Sequence, residues 1–264
     1  MAMVRLVREL WNTWPIINNM FLSLHDVTLL DSLHDLVDLG EKKAVVTCLN
    51  AHSYNVAQHD EKYAEILKKS SALLPDGIAI VWACKFLKAK SRPQKRIVGW
   101  DLFVFEMERL NERGGRCMFL GSSEKTLALI RERARTEYPN IEVLTYSPPY
   151  KTEFSDEESR AMVQAVNHAN PDLLWIGMTA PKQEKWAYAH WNELKINCHV
   201  GCIGAVFDFF AGTVKRAPLW WQNHSLEWLY RLLTEPRRMW RRYILGNPLF
   251  IWNVMKEKMR TKAQ

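Results

Sequence analysis

The sequence predicts an α/β fold: a parallel sheet covered by helices on both faces, followed by a basic, aromatic C-terminal helical appendage. Three observations lead there. Short apolar runs alternate with helical patterns from about Met20 onward, the arrangement of strands joined by crossover helices. The chain has 264 residues and is 48% hydrophobic, enough to bury one large core, with glycine and proline at ordinary levels. Its net charge of +7 is unevenly placed: residues 215–264 hold 11 Lys and Arg against 3 Asp and Glu, so the rest of the chain is close to neutral.

The elements follow in order. "KAVVTCLNA" reads as a buried strand from Ala44 to Leu49. "YNVAQHDEKYAEILKKS" is helical, with Val56, Tyr63, Ile66 and Leu67 on its apolar side. "SALLPDGIAIVWACKFL" gives a short strand, a turn at Pro75-Asp76-Gly77 and a helix. "RCMFLGSSEKTLALIRERARTEYP" is a strand, a Gly121-Ser122-Ser123 turn with a serine placed to cap, and a helix. "SDEESRAMVQAVNHANPDLLWIGM" opens on a capping box, Ser155 with Glu158. Its helix turns inward on Ala161, Met162, Ala165 and Val166, stops before Pro171, and leads to a strand from Leu173 to Gly177. "CHVGCIGAVFDFFAG" is a further strand ending in a glycine-punctuated turn. The one compositional boundary lies near Lys215, which divides the chain into an α/β domain, 1–214, and an appendage, 215–264.

Charge and aromatics narrow the function. The appendage carries five of the twelve tryptophans. In "EWLYRLLTEPRRMWRRY", five arginines share seventeen residues with two tryptophans and two tyrosines. A segment both greasy and cationic suits a nucleic acid or a membrane surface. No run approaches the roughly 18 apolar residues of a spanning helix. Arg5, Arg8 and Glu9 break up the N-terminus, so no signal peptide is expected. The five cysteines, Cys48, Cys84, Cys117, Cys198 and Cys202, form no CxxC pair and fit reduced thiols in a cytoplasmic protein. Cys198 and Cys202 flank His199 at a spacing wrong for zinc and read as small buried hydrophobes. No DxD carboxylate pair is present, and no metal is expected.

In parallel sheets, ligands bind where strand ends lead into helices. Asp76 stands at such a turn and is either a general base or a plain turn residue. "LGSSEK" after Gly121 and "GMTAPKQEKW" after Gly177 expose backbone N–H groups that can hold a phosphate. Gln183 can read a base edge, and Glu184 adds a carboxylate. Arg96 and Asp101 flank a glycine, as a diphosphate ligand or as a structural pair. Arg231, Arg238 and Arg241 recur at i, i+7 and i+10, within about 80° of one another on an unbroken helix at about 100° per residue. Pro236 interrupts that helix.

Five stretches then occur in order: "LPDGIAIVWA", "RIVGWDLF", "PDLLWIGMTAPKQEKW", "GAVFDFFAGTVKRAPLWWQ" and "LEWLYRLLTEPRRMWRRY". Together they resemble the WecG/TagA/CpsF family of bacterial glycosyltransferases, glycosyltransferase family 26, from about Phe21 to about Tyr243. The resemblance implies a Rossmann-like core with a membrane-associating C-terminal appendage. It implies metal-independent, inverting transfer of a hexose-type sugar from a UDP-sugar to a polyprenyl-diphosphate-linked saccharide. Asp76 matches the proposed base, Asn50 a pocket asparagine, and Gln183 lies in the PKQE loop. Arg231, Arg238 and Arg241 match tail arginines that close over the site and neutralise diphosphate.

Departures from the family pattern stand at the nucleotide side. Cys48, with Thr47 beside it, occupies the place of a threonine. Gly121-Ser122 and Ile203-Gly204-Ala205-Val206 stand where many relatives carry Gly-Gly. The expected partners are a UDP-sugar, a polyprenyl-diphosphate-linked acceptor and a membrane surface met by Trp220, Trp221, Trp228 and Trp240. No cofactor and no nucleic acid are expected, and self-association is left open. The expected location is the cytoplasmic face of the bacterial membrane. Glucose, in exopolysaccharide synthesis, is the expected sugar, with N-acetylmannosamine or its uronic acid as alternatives. The rival readings are a basic nucleic-acid-binding protein and a non-catalytic UDP-binding scaffold.

Overall fold

A computed structural model describes residues 21–40 and 42–263. The N-terminal charges Arg5, Arg8 and Glu9 lie outside the described residues. Six strands form one sheet: β1 (Ala44–Leu49), β2 (Ala72–Pro75), β3 (Gly115–Gly121), β4 (Ile141–Tyr146), β5 (Leu173–Gly177) and β6 (His199–Cys202). Their order is β2-β1-β6-β5-β3-β4, and every pairing is parallel. This is the Rossmann-like arrangement the alternating pattern predicts.

The strands read as unbroken apolar runs because both faces are covered. Cys117 and Phe119 of β3 point to one side, with Val46 and Trp175, and meet Phe103, Met107, Ile130, Phe207 and Phe210. Met118 and Leu120 point to the other, where Met162, Val166, Trp186 and Ala187 cover them. Beyond β1, Leu49 and Leu73 meet Tyr54, Tyr63, Leu67 and Ile80. Cys84, Cys117, Cys198 and Cys202 are buried free thiols, and His199 pairs through Nδ1 with the Glu106 carboxylate at 2.8 Å.

Two local features differ from the sequence pattern, and the break at Pro236 follows it. The helical stretch after β1 is two helices, Ala51–Ala57 and Glu61–Lys69, because the Asp60 carboxylate accepts from the Tyr63 amide at 3.0 Å and starts a new helix. The edge strand β4 was not evident from the sequence; Ile141 alone of its residues is buried, so it lacks the apolar run of its neighbours. Residues 227–245 are not one helix. Glu227–Thr234 ends at Glu235, Pro236 starts a short helix to Trp240, and Arg241–Leu245 forms a π-helical turn.

The boundary near Lys215 is one of composition. The last helix, Gly246–Ala263, inserts Phe250 and Val254 into the same core as Tyr54 and Tyr63. Its Glu257 accepts from the Ser23 hydroxyl, the Leu24 amide and the Tyr54 hydroxyl at 2.7, 2.8 and 2.6 Å. Among the described residues, no helix is long and apolar enough to cross a membrane.

Candidate active site

The carboxyl ends of β1 and β2 lie side by side, with Leu49 opposite Pro75, so the next residues, Asn50 and Asp76, meet. Asn50 caps helix Ala51–Ala57 through its Oδ1, which accepts from the His52 and Ser53 amides at 3.1 and 3.0 Å. That use of the oxygen leaves Nδ2 to donate to Asp76 Oδ2 at 3.1 Å. The Asp76 amide is itself held by the Leu49 carbonyl at 2.9 Å. Gly77, with φ at +124°, turns the chain into helix Ile78–Leu87 and leaves the carboxylate at the strand end.

Burial pushes the Asp76 carboxyl above its ordinary range. The Asn50 hydrogen bond, then the Arg242 charge and more weakly Arg96, oppose that rise, while Glu227 adds to it. Arg242 also acts on His52, whose imidazole is pushed down to about 4 by burial first and by that guanidinium second. A carboxylate raised toward neutrality and steered by a nearby cation can accept a proton from a hydroxyl.

The tail arginines divide into two groups. Arg231 and Arg238 both reach Glu235, at 3.7 and 2.9 Å, and their charges act on Asp208 rather than on Asp76. Arg241 is exposed and lies over the Trp240 ring. The π-helical turn brings its neighbour Arg242 inward, partly buried, with its Nε lacking a hydrogen-bond partner. Arg242 carries no cue in its spacing, and only the broken helix path reveals it. Arg96 is paired with Glu227 and donates to the Gln222 carbonyl at 2.8 Å, so it ties the appendage to the core beside Asp76.

Other candidates have structural duties. Asp101 accepts from the Val98 amide at 3.0 Å and caps helix Gly99–Arg113. Thr47 is fully buried and donates to the Ser70 hydroxyl at 2.9 Å, whereas Cys48 is partly accessible and feels the Asp76 charge. Gly121 and Gly177 are paired across β3 and β5. A Cβ on Gly121 would stand 2.4 Å from the Gly177 carbonyl oxygen, and one on Gly177 would stand 2.5 Å from the Phe207 ring. Gln183 folds its Oε1 onto the Met178 amide at 3.2 Å beside Gly204 and donates through Nε2 to Glu184. Glu184 is 2% exposed, with Oε2 unpartnered, and burial pushes its carboxyl up to about 7. It lines a cavity of about 280 Å³ between helices Glu61–Lys69 and Lys182–Ala189, on the flank of the sheet and away from Asp76.

Trp220, Trp228 and Trp240 are exposed, while Trp221 packs on Tyr230. Among the described residues, no group of three or more His, Cys, Asp or Glu is placed to hold a metal ion.

A parallel α/β sheet with a polar strand-end site, overhung by an arginine-bearing helical appendage, defines a Rossmann-like protein whose ligand site lies at the strand ends. The chain belongs to the glycosyl transferase WecG/TagA/CpsF family, whose model matches residues 16–264. It is similar to the N-acetylglucosaminyldiphosphoundecaprenol N-acetyl-beta-D-mannosaminyltransferase of Bacillus subtilis (strain 168), with 30% identity over 91% of this chain and 93% of the relative. The enzymes of the same name from Bacillus spizizenii (strain W23) and Staphylococcus aureus (strain NCTC 8325) are 30% and 27% identical. They match over 90% and 82% of this chain, and over 86% and 82% of their own lengths.

Proposed function

We infer that the protein is an inverting glycosyltransferase that moves a hexose-type sugar from a UDP-sugar to a polyprenyl-diphosphate-linked saccharide. The observation that carries this reading is the Asn50–Asp76 pair at adjoining strand ends, under the charge of Arg242. The acceptor class comes from the relatives, whose name specifies a diphosphoundecaprenol-linked sugar.

In this reading the acceptor hydroxyl attacks the anomeric carbon and gives its proton to Asp76. A new C–O bond forms as the bond to UDP breaks, and UDP leaves with added negative charge. Arg242, assisted by Arg96, stabilises that charge, and no metal is required. Asn50 orients the carboxylate and opposes the rise that burial imposes on it. The relatives named above transfer N-acetylmannosamine, which favours an N-acetylhexosamine over the glucose expected from the sequence. Catalysis belongs at a membrane surface, where a lipid-linked acceptor resides, with Trp220, Trp228 and Trp240 as the appendage's contacts.

The test is a screen of UDP-sugars against a short-chain prenyl-diphosphate N-acetylglucosamine. Transfer from UDP-N-acetylmannosamine with inversion at the anomeric carbon is the expected result. No transfer from any UDP-sugar, with UDP bound, would leave a non-catalytic scaffold instead.

A further inference from the structure

Helix Ile78–Leu87 starts directly after Asp76-Gly77 and buries Ile80, Val81, Ala83, Cys84 and Leu87. Its outer side carries Trp82, 66% exposed, and Phe86, 48% exposed. Four residues apart, the two lie one above the other on a single face. The last helix runs beside it: Lys258 Nζ donates to the Phe86 carbonyl at 2.9 Å and sits 5.4 Å from the centre of the Phe86 ring. That helix turns Phe250, Asn253, Val254 and Glu257 inward and leaves Ile251, Trp252, Met255 and Met259 exposed. Ile251, Met255 and Met259 recur every fourth residue and form one stripe.

The outward charges carried by these two segments have one sign. From Ile78 to Lys90 the chain has Lys85, Lys88 and Lys90 and no acid. The last helix has Lys256, Lys258 and Arg260, and its only acid, Glu257, is 2% exposed and bound to Ser23, Leu24 and Tyr54. Among the described residues of these two segments, the outward side therefore offers apolar groups and, at Lys85, Lys88 and Lys90, exposed cations without a carboxylate. A second copy of the chain is a poor occupant, because a two-fold contact would set these lysines against one another, and protein interfaces are depleted in lysine. An anionic bilayer takes both parts: aromatic and aliphatic groups enter the interface while lysines meet the head groups.

We propose that helix Ile78–Leu87 and the outward side of Gly246–Ala263 form a lipid-contact face of the catalytic core, distinct from the tryptophans of residues 219–240. This rests on the reading that the acceptor is lipid-linked. Trp82 lies roughly 6 Å along the helix that starts at Ile78, two residues beyond Asp76. Seating Trp82 and Phe86 among the head groups holds the Asp76 pocket at the depth of a lipid-borne diphosphate.

The experiment measures co-sedimentation of the full chain with phosphatidylglycerol–phosphatidylcholine vesicles and with pure phosphatidylcholine vesicles. Trp82→Ser with Phe86→Ser should weaken binding to the mixed vesicles at least tenfold, with the melting temperature unchanged. Trp82→Phe should retain most of the binding. Lys85→Glu with Lys88→Glu should weaken binding to the mixed vesicles and leave pure phosphatidylcholine unaffected. Wild-type binding by the Trp82/Phe86 variant overturns the proposal. So does loss of a self-associated species in sedimentation velocity with vesicle binding intact, which would assign the face to a second copy. Vesicle binding needs no turnover. A protein that binds vesicles through these residues but transfers no sugar supports this face and counts against the glycosyltransferase reading.

Discussion

Asn50 and Asp76 are joined side chain to side chain at 3.1 Å, although 26 residues separate them. The helix that Asn50 caps fixes which end of its amide faces the carboxylate. Asp76→Asn should therefore keep the fold and UDP binding and lower turnover by about 10²–10⁴-fold. The melting temperature should not fall, because the change removes a charge that burial disfavours. Turnover close to wild type would take Asp76 out of the mechanism.

Arg242 holds both Asp76 and His52 below where burial and surroundings would otherwise leave them. In Arg242→Gln, the acid limb of the pH–rate profile should move to higher pH, because the Asp76 base then needs a higher pH to ionise. The His52 imidazole should rise from about 4 toward its ordinary value. Turnover should drop about 10²-fold, and more than in Arg241→Ala, since Arg241 is exposed. NMR titration of His52 reads the electrostatics apart from the kinetics; an unmoved His52 would place Arg242 elsewhere.

Glu184 offers a test by stability. Its folded-state pKa of about 7 lies above the ordinary 4.5, so the folded protein binds this proton more tightly than the unfolded chain. The resulting stability is full below about pH 4.5 and is lost as pH rises through about 7. Glu184→Gln should stabilise the protein by about 3 kcal/mol at pH 8 and by little at pH 4. Urea unfolding at the two pH values makes the comparison; equal effects at both would place the Glu184 carboxyl in water.

Truncation near Lys215 should unfold the core as well as remove a membrane contact. It takes away Phe250, Val254 and the carboxylate that Tyr54 and Leu24 bond. Glu257→Ala alone should cost about 3 kcal/mol, since it strands buried donors. A truncated chain that melts like the full one would show that the last helix is dispensable.

Activity should survive EDTA. In the proposed mechanism the positive charge offered to the leaving group comes from Arg242 and Arg96, not from a metal ion held by carboxylates. Loss of turnover on chelation, restored by Mg²⁺ or Mn²⁺, would overturn this.

Asp76 was legible in the sequence because a carboxylate between a short apolar run and a glycine marks a strand end. The sheet was legible because β1, β3, β5 and β6 are apolar runs buried on both faces. Arg242 was not. Spacing on an unbroken helix selects Arg231, Arg238 and Arg241, and a break at Glu235 followed by a π-helical turn brings Arg242 inward as well as Arg231, while Arg238 and Arg241 stay exposed. Trp82 was hidden for the opposite reason. "IAIVWACKFL" is apolar on nearly all sides, so composition does not tell the exposed side from the buried one.

The Glu257 contacts tie the last helix to Ser23 and Leu24, more than two hundred residues earlier in the chain. During synthesis the N-terminal part emerges first and begins to fold first. Until the final helix leaves the ribosome, the Tyr54 hydroxyl and the Leu24 amide have no carboxylate to meet, and the Phe250 and Val254 places in the core stand empty. A nascent chain short of Glu257 is therefore a sheet with an open seam.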